Sequence, residues 1–285
     1  MPIITSLQNP RVKNAIRLRN ARRRQRQQRI IIDGARELAR AIQAGVRLVE
    51  IFICEPLLAG EESQRLRKTL ETCGGEILQV SEAVFHKLAF GSRAEGLLGV
   101  AEMPIKTLQD LDIIIKRPHP NPLPKGEGTF KISPTQNPLI AVLESVEKPG
   151  NVGAVLRSAD AIGVSALILA DARTDLYNPN AIRASLGTIF TVPVCEATSS
   201  ETLAWLRENK ISVVAARVDG SMPYTEIDYR RPTAVVLGSE AAGLSSAWMA
   251  ADITAVRLPM LGAADSLNVS SAAAVIFYEA LRQRM

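Results

Sequence analysis

The sequence predicts an α/β protein in two parts: a mostly parallel sheet with helices on both faces in the second half, preceded by a smaller α/β unit. Short continuous apolar runs alternate with helix-patterned segments along most of the chain, which is the signature of strands buried on both faces. The 285 residues suffice for two ordinary domains with a core each. No apolar run approaches the roughly 20 residues that a bilayer-spanning helix requires.

The chain opens with Asn9-Pro10, a capping residue and a first-turn proline, and Val12, Ala15, Ile16 and Ala21 give the following basic helix an apolar stripe. Ile30 to Ile32 then reads as a strand, Gly34 to Ala44 as a helix, and Leu48 to Cys54 as a strand. Glu61 to Cys73 reads as a helix and Leu97 to Ala101 as a closing strand, so that residues 1–102 form the first domain. From Met103 the periodicity stops. Residues 117–138 hold six of the sixteen prolines, four of them at alternate positions, where neither a helix nor a sheet ladder continues. Residues 103–138 are accordingly expected to be a linker.

Regular alternation resumes over residues 139–285. Strands are expected at Leu139 to Leu143, Ala166 to Leu169, Thr191 to Cys195, Ile211 to Ala215, Thr233 to Leu237 and Ile253 to Arg257. Helices are expected at Asn151 to Ile162, Pro179 to Leu186, Glu201 to Glu208 and from about Leu267 to Arg282.

Charge is concentrated at one end. The first 32 residues carry nine Lys and Arg and no acid, +9 against +5 for the whole chain, which is an electrostatic footprint for a polyanion. A solvated helix face is the alternative. With no aromatic residue before Phe52, the segment is a poor platform for stacking single-stranded bases, and recognition of a folded nucleic acid by shape and phosphate fits better. Three cysteines without a CxxC pair argue against a disulfide framework or zinc ribbon, and two histidines leave little for a Ser/His/Asp or histidine-rich metal site; no metal is expected. The N-terminus lacks the order of a secretory signal, and a cytoplasmic protein without membrane association is expected.

Three segments of the second half share one design, a connection at the end of a strand. In Lys148 to Arg157, Pro149 and Gly150 make a turn, Asn151 is expected to cap the helix, and Asn151, Ala154 and Arg157 share its first two turns. Such a terminus suits a phosphate, although a plain capped helix reads equally well. In Ala234 to Leu244 the strand ends at Gly238, where a missing side chain lets a ligand reach the backbone; Gly243 offers a second close approach and Glu240 a charge for a cationic ligand. The segment matches neither GxGxxG nor a P-loop. In Leu258 to Ser271, Ser266, Asn268 and Ser270 place small polar groups at a helix start.

NxGxxxR (Asn151 to Arg157), LGxExxGL (Leu237 to Leu244) and the PM…SLNVS run (Pro259 to Ser270), in that order and spacing, resemble the three signature motifs of SpoU/TrmH RNA methyltransferases of the SPOUT superfamily. The resemblance covers roughly residues 138–285. Ile4-Thr-Ser, Asn9-Pro-Arg, Lys13 and Asp33-Gly-Ala-Arg-Glu37 resemble, more loosely, the RNA-binding domain that precedes the catalytic one in the ribosomal-RNA branch.

The resemblance implies S-adenosylmethionine as cofactor, a ribose 2′-hydroxyl as acceptor, a C-terminal trefoil knot and a homodimer. Ribosomal RNA is the first expected substrate and transfer RNA the second. Leu237, Gly238, Gly243, Leu258, Met260 and Leu267 would bind the cofactor, and Asn151, Arg157, Glu240, Asn268 and Ser270 would form the catalytic cluster. Arg11, Lys13, Arg22, Arg23, Arg24 and Arg157 would bind RNA. Many relatives carry an acid where this chain has Lys148. Two alternatives are an RNA-binding or assembly protein with this fold but no methyl transfer, and an enzyme that methylates a base nitrogen; the SLNVS ending favours the ribose reaction.

Overall fold

A computed structural model describes residues 2–58, 60–90, 95–115 and 137–285. The described chain divides into two units, residues 1–104 with 177–191, and residues 105–176 with 192–285.

The first unit begins with α1 (Pro10–Arg17), capped by the Asn9 side chain on the Arg11 N–H (2.9 Å), and α2 (Ala21–Gln27). The single basic helix expected here is thus two, because the chain turns at Leu18, Arg19 and Asn20. Val12, Ala15 and Leu18 are buried, whereas Ala21 is exposed and takes no part in the apolar stripe. Next come β1 (Arg29–Asp33), α3 (Ala35–Gln43), β2 (Leu48–Ile53), α4 (Gly60–Leu70), β3 (Glu76–Gln79), α5 (Glu82–Leu88) and β4 (Leu97–Glu102). The sheet order is β1-β4-β2-β3, antiparallel except for the β2–β3 pair. β3 and α5 are absent from the sequence-based expectation: β3 is four residues long with a glutamate at its start, too short to show alternation. Helix α5 nonetheless contributes Val84, Phe85 and Leu88 to a core with Val12, Ala15, Leu18, Phe52 and Leu98.

The second unit starts with α6 (Leu108–Ile115), which corrects the expectation that residues 103–138 are all linker. Leu111 enters the core, and Asp112 accepts hydrogen bonds from the Trp205 indole (2.8 Å) and the Asn209 amide (3.2 Å). The proline-rich stretch of that linker lies, up to residue 136, outside the described residues. β5 (Leu139–Glu144), α7 (Pro149–Ile162) and β6 (Ala166–Ala170) follow. The chain then forms α8 (Pro179–Ala184), which belongs to the first unit, and returns with β7 (Val194–Ala197), α9 (Ser199–Glu208), β8 (Ser212–Ala216), β9 (Met222–Pro223), β10 (Thr233–Leu237), β11 (Ile253–Arg257) and α10 (Val269–Arg284).

The seven strands described in this unit are all parallel, in the order β7-β6-β5-β10-β8-β11-β9. Ile140, Val142, Ile168 and Val236 pack with Leu111, Trp205 and Trp248. Because side chains alternate along a strand, Ala141, Leu143 and Val235 serve the other face, where α7 and α10 pack together. Cys195 is buried in the first of these layers, and burial pushes its thiol up to about 12, so it acts as a small apolar residue. No helix among the described residues is long and apolar enough to cross a membrane.

Candidate active site

A parallel sheet gathers the carboxyl ends of its strands along one edge, and the connections leaving β5, β10 and β11 carry the three segments singled out above. Strand order reverses here: β6 and β7 extend from β5 in one direction, while β10, β8, β11 and β9 lie in the other. Open α/β sheets bind ligands at such a reversal.

Helix α7 begins two residues earlier than expected, with Pro149 at its first position. Proline fits there because its missing N–H would have no intrahelical partner. Asn151 therefore does not cap the helix. Its amide instead donates to Glu240 Oε1 on the β10 connection, and its Oδ1 accepts from Asn268 Nδ2 at 3.3 Å. Asn268 is the capping residue of α10, its Oδ1 accepting from the Ser270 N–H (2.9 Å) and hydroxyl (2.6 Å). One hydrogen-bonded row thus joins all three segments, and four of the five expected catalytic residues belong to it. The fifth, Arg157, lies exposed on α7 with no hydrogen bond or ion pair to any described residue.

Leu237 is buried at the end of β10. The glycine after it is required for a reason other than ligand approach. A Cβ on Gly238 would overlap the carbonyl of Gly243, because the chain folds back there into a tight turn, with the Gly243 N–H donating to the Ser239 carbonyl at 2.9 Å. Gly243 itself needs glycine for its backbone, at φ +66°, in a region that side chains disfavour. After β11, Leu258 and Met260 are half-buried, while Leu261 and Leu267 are 100% and 40% exposed. These apolar side chains stand open to solvent in the loop that leads to Asn268.

Glu144 was not among the expected site residues. It ends β5, is 2% exposed, and accepts hydrogen bonds from the Ser199 hydroxyl (2.7 Å) and from both the N–H (2.7 Å) and hydroxyl (2.6 Å) of Ser245. A buried carboxylate is tolerable with three such donors. It ties the Gly238–Leu244 turn down to the strand from which the Asn151 segment departs. Its signal, a lone acid closing an apolar strand, is indistinguishable in sequence from a surface residue.

In the first unit the structure sorts the expected RNA-binding residues. Lys13, Arg22 and Arg23 are exposed. Arg11 is engaged by Glu76 (2.6 Å) and lies 3.6 Å from Glu50. Arg24 is a correction: it is fully buried, its guanidinium donating to the Leu18 carbonyl at 2.5 Å, and so is unavailable to a ligand.

The fold and this row of strand-end loops define an α/β methyltransferase of the SPOUT class, and comparison with known proteins agrees. Residues 138–278 match the SpoU rRNA Methylase family and residues 9–99 the MRM3-like substrate binding domain. A 23S rRNA (guanosine-2′-O-)-methyltransferase, RlmB, of Bordetella pertussis is 31% identical over 251 residues, 87% of this chain and 94% of that protein. A crystal structure of an RNA 2′-O ribose methyltransferase superposes with a TM-score of 0.80 at 40% identity, covering 99% of both chains. An AdoMet-bound rRNA methyltransferase from Sinorhizobium meliloti gives 0.81 at 27% identity, covering 99% of this chain and 97% of that one. The chain belongs to the SpoU rRNA methylase family.

Proposed function

We propose that this protein transfers a methyl group from S-adenosylmethionine to a ribose 2′-hydroxyl of ribosomal RNA. The observation that carries the reading is the Glu240–Asn151–Asn268–Ser270 row, which holds three strand-end loops in register at the carboxyl edge of a parallel sheet. The full-length likeness to rRNA 2′-O-methyltransferases, including one solved with AdoMet, supports it.

The chain's own chemistry suits the cofactor. In the turn after β10, Gly243 leaves open space where a side chain would stand, and the loop after β11 offers Leu258, Met260 and Leu267 incompletely covered, as a ligand with a purine and a sulfonium-bearing chain needs. Leu237, Gly238, Gly243, Leu258, Met260 and Leu267 would hold it, through backbone groups and apolar contact. When bound, S-adenosylmethionine supplies an electrophilic methyl group on a positively charged sulfur.

A ribose hydroxyl is a weak nucleophile, so the protein must align it and stabilise the negative charge that develops on its oxygen. An arginine keeps its proton in proteins, and Arg157 therefore acts as a donor rather than as a base. Its planar fork anchors the phosphate next to the acceptor sugar and faces the forming alkoxide, while the hydroxyl proton leaves to phosphate or water. Asn151, fixed from both sides by Glu240 and Asn268, keeps the loop with Glu240 in place next to Arg157's helix. Arg22, Arg23 and Lys13 of the first unit contribute to holding the RNA.

The protein works as a cytoplasmic homodimer. Helix α10 leaves Val275 and Tyr278 uncovered on one side, 38% and 54% exposed, an apolar face suited to a second copy. The same reading includes the C-terminal trefoil knot that the resemblance to the superfamily implies. Replacing Arg157 with Lys keeps the charge and loses the bidentate geometry. Transfer of labelled methyl groups to protein-free ribosomal RNA should fall by about a hundredfold or more, with calorimetric cofactor affinity unchanged. Full turnover in Arg157→Lys would rule out the guanidinium role, and a wild-type protein that binds RNA but transfers no methyl group would point to an assembly factor instead.

A further inference from the structure

The cations of the first 29 residues are not equivalent: of the five that make no hydrogen bond or ion pair with any described residue, Lys13 lies apart and four arginines converge on one place. Arg11 is engaged by Glu76 and Glu50. Arg19 donates to the carbonyls of Lys87, Leu88 and Ala89 at 2.8–2.9 Å, closing the C-terminal end of α5, and lies over the Phe90 ring. Arg24 is buried on the Leu18 carbonyl, and Arg29 is half-buried near Glu50. Arg17, Arg22, Arg23 and Arg26 make no hydrogen bond or ion pair with any described residue, and all four line a single surface cleft of about 480 Å³ between α1 and α2. Ile16, Asn20 and Arg19 complete its wall; among the described residues no carboxylate does.

The cleft is held in shape from beneath. Val12, Ala15 and Leu18 anchor α1 in the core, the buried Arg24 fastens the turn between the helices through the Leu18 carbonyl, and Gln27 donates to Asn14 across the pair at 3.0 Å. Neither helix has an acid in its first turn. Arg22 and Arg26, one helical turn apart, repel each other in the free protein, and an anion spanning them removes that repulsion. Guanidinium forks match phosphate oxygens in pairs, and no aromatic ring among the described lining residues offers a surface to stack bases on.

We propose that this cleft grips the sugar–phosphate backbone of folded RNA, with Arg17, Arg22, Arg23 and Arg26 as the phosphate ligands and Arg24 as the buried brace that spaces them. The assignment rests on the RNA-methyltransferase reading and adds to it the place where the substrate is held, independently of the methyl-transfer site.

The test compares the wild type with two charge-matched variants of the full chain. Arg22→Gln with Arg26→Gln empties the cleft of two cations, whereas Arg47→Gln with Arg65→Gln removes two exposed arginines that pair with Glu102 and Glu61 elsewhere on the same unit. Affinity for protein-free 23S ribosomal RNA and for a 20-base-pair RNA duplex is measured between 50 and 200 mM KCl, with thermal melts to verify folding. In the cleft variant, affinity at 100 mM should drop at least tenfold and the slope of log K against log salt should lessen by roughly 1.5, at about 0.7–0.9 for each phosphate no longer neutralised. The control should keep the wild-type slope, and S-adenosylmethionine affinity should be the same in all three. Arg17→Gln with Arg23→Gln should repeat the effect from the other wall. Equal slopes for cleft and control variants, in a protein that still methylates RNA, would overturn the cleft and leave the enzyme reading standing. A slope reduced only in the cleft variants, in a protein without methyl transfer, would do the reverse.

Discussion

Asp33, the last residue of β1, has one carboxylate oxygen on the Phe90 N–H at 2.5 Å and the other buried without a hydrogen-bond partner among the described residues. Burial pushes this carboxyl up to about 6 from its ordinary range, against the opposing pull of the Phe90 N–H and of Arg183. Glu37 is raised in the same direction, also by burial. An acid raised on folding favours the native state while protonated. That contribution is complete below about pH 4 and is lost as pH rises through about 6, at up to about 1.4 kcal/mol per pH unit for one group. Asp33→Asn keeps an acceptor for Phe90 without the charge. Protection factors of the β1 amides, measured by hydrogen exchange at pH 5 and 7.5, should fall less with pH in this variant than in the wild type. An identical fall in both proteins would mean that Asp33 carries none of it.

The turn after β10 shows how an element's end can be legible in sequence while its cause is not. Gly238 stands out as a strand-terminal glycine, yet what occupies the space a side chain would take is the carbonyl of Gly243, five residues on in the same turn. Gly238→Ala should therefore displace the Gly243–Leu244 backbone and, with it, the Ser245 N–H and hydroxyl that Glu144 holds. A cost of about 2 kcal/mol or more is expected for such a clash. Urea unfolding followed by the fluorescence of Trp205 and Trp248, both in the core of this unit, measures it, and calorimetry should register weakened S-adenosylmethionine binding. Unchanged stability and affinity would show that the turn relaxes freely. Helix α6 and strand β3 were hidden for a different reason. β3 is too brief for periodicity to register, α6 ends in three consecutive isoleucines that read as no amphipathic stripe, and α6 is held by a partner distant in sequence, the Trp205 indole on Asp112.

The first unit is not a continuous stretch of chain. Residues 177–191, which fall inside the SpoU match, belong with residues 1–104. Arg183 donates to the Phe90 carbonyl, Arg40 to the Leu186 carbonyl at 2.6 Å, and Gly187 lies against the Glu37 backbone, too close for any side chain. Within the segment Tyr177 and Phe190 stack at 6.3 Å. The boundary expected near residue 102 marks where the first stretch ends but misses this return. A fragment of residues 1–104 alone lacks the cover over α3 and β1, and should melt at least 10 °C below the first-unit transition of the whole chain and bind a hydrophobic dye. A fragment with native stability would make the returning segment dispensable.

Alternating apolar runs, strand-end glycines, the Asn-Pro cap and the arginine-rich leading segment are local properties, set by side-chain period and backbone freedom, and could be read directly from the order of residues. They were enough for the fold class, the three loops and a polyanion partner. Long-range proximity was beyond them. Asn151 meets Glu240 across 89 residues and Asn268 across 117 because β10 pairs with β5 and α10 packs on α7, and no local pattern encodes a strand order. The same holds for charge: nine cations in one stretch look alike until packing buries Arg24, pairs Arg11, and leaves Arg17, Arg22, Arg23 and Arg26 facing one cleft.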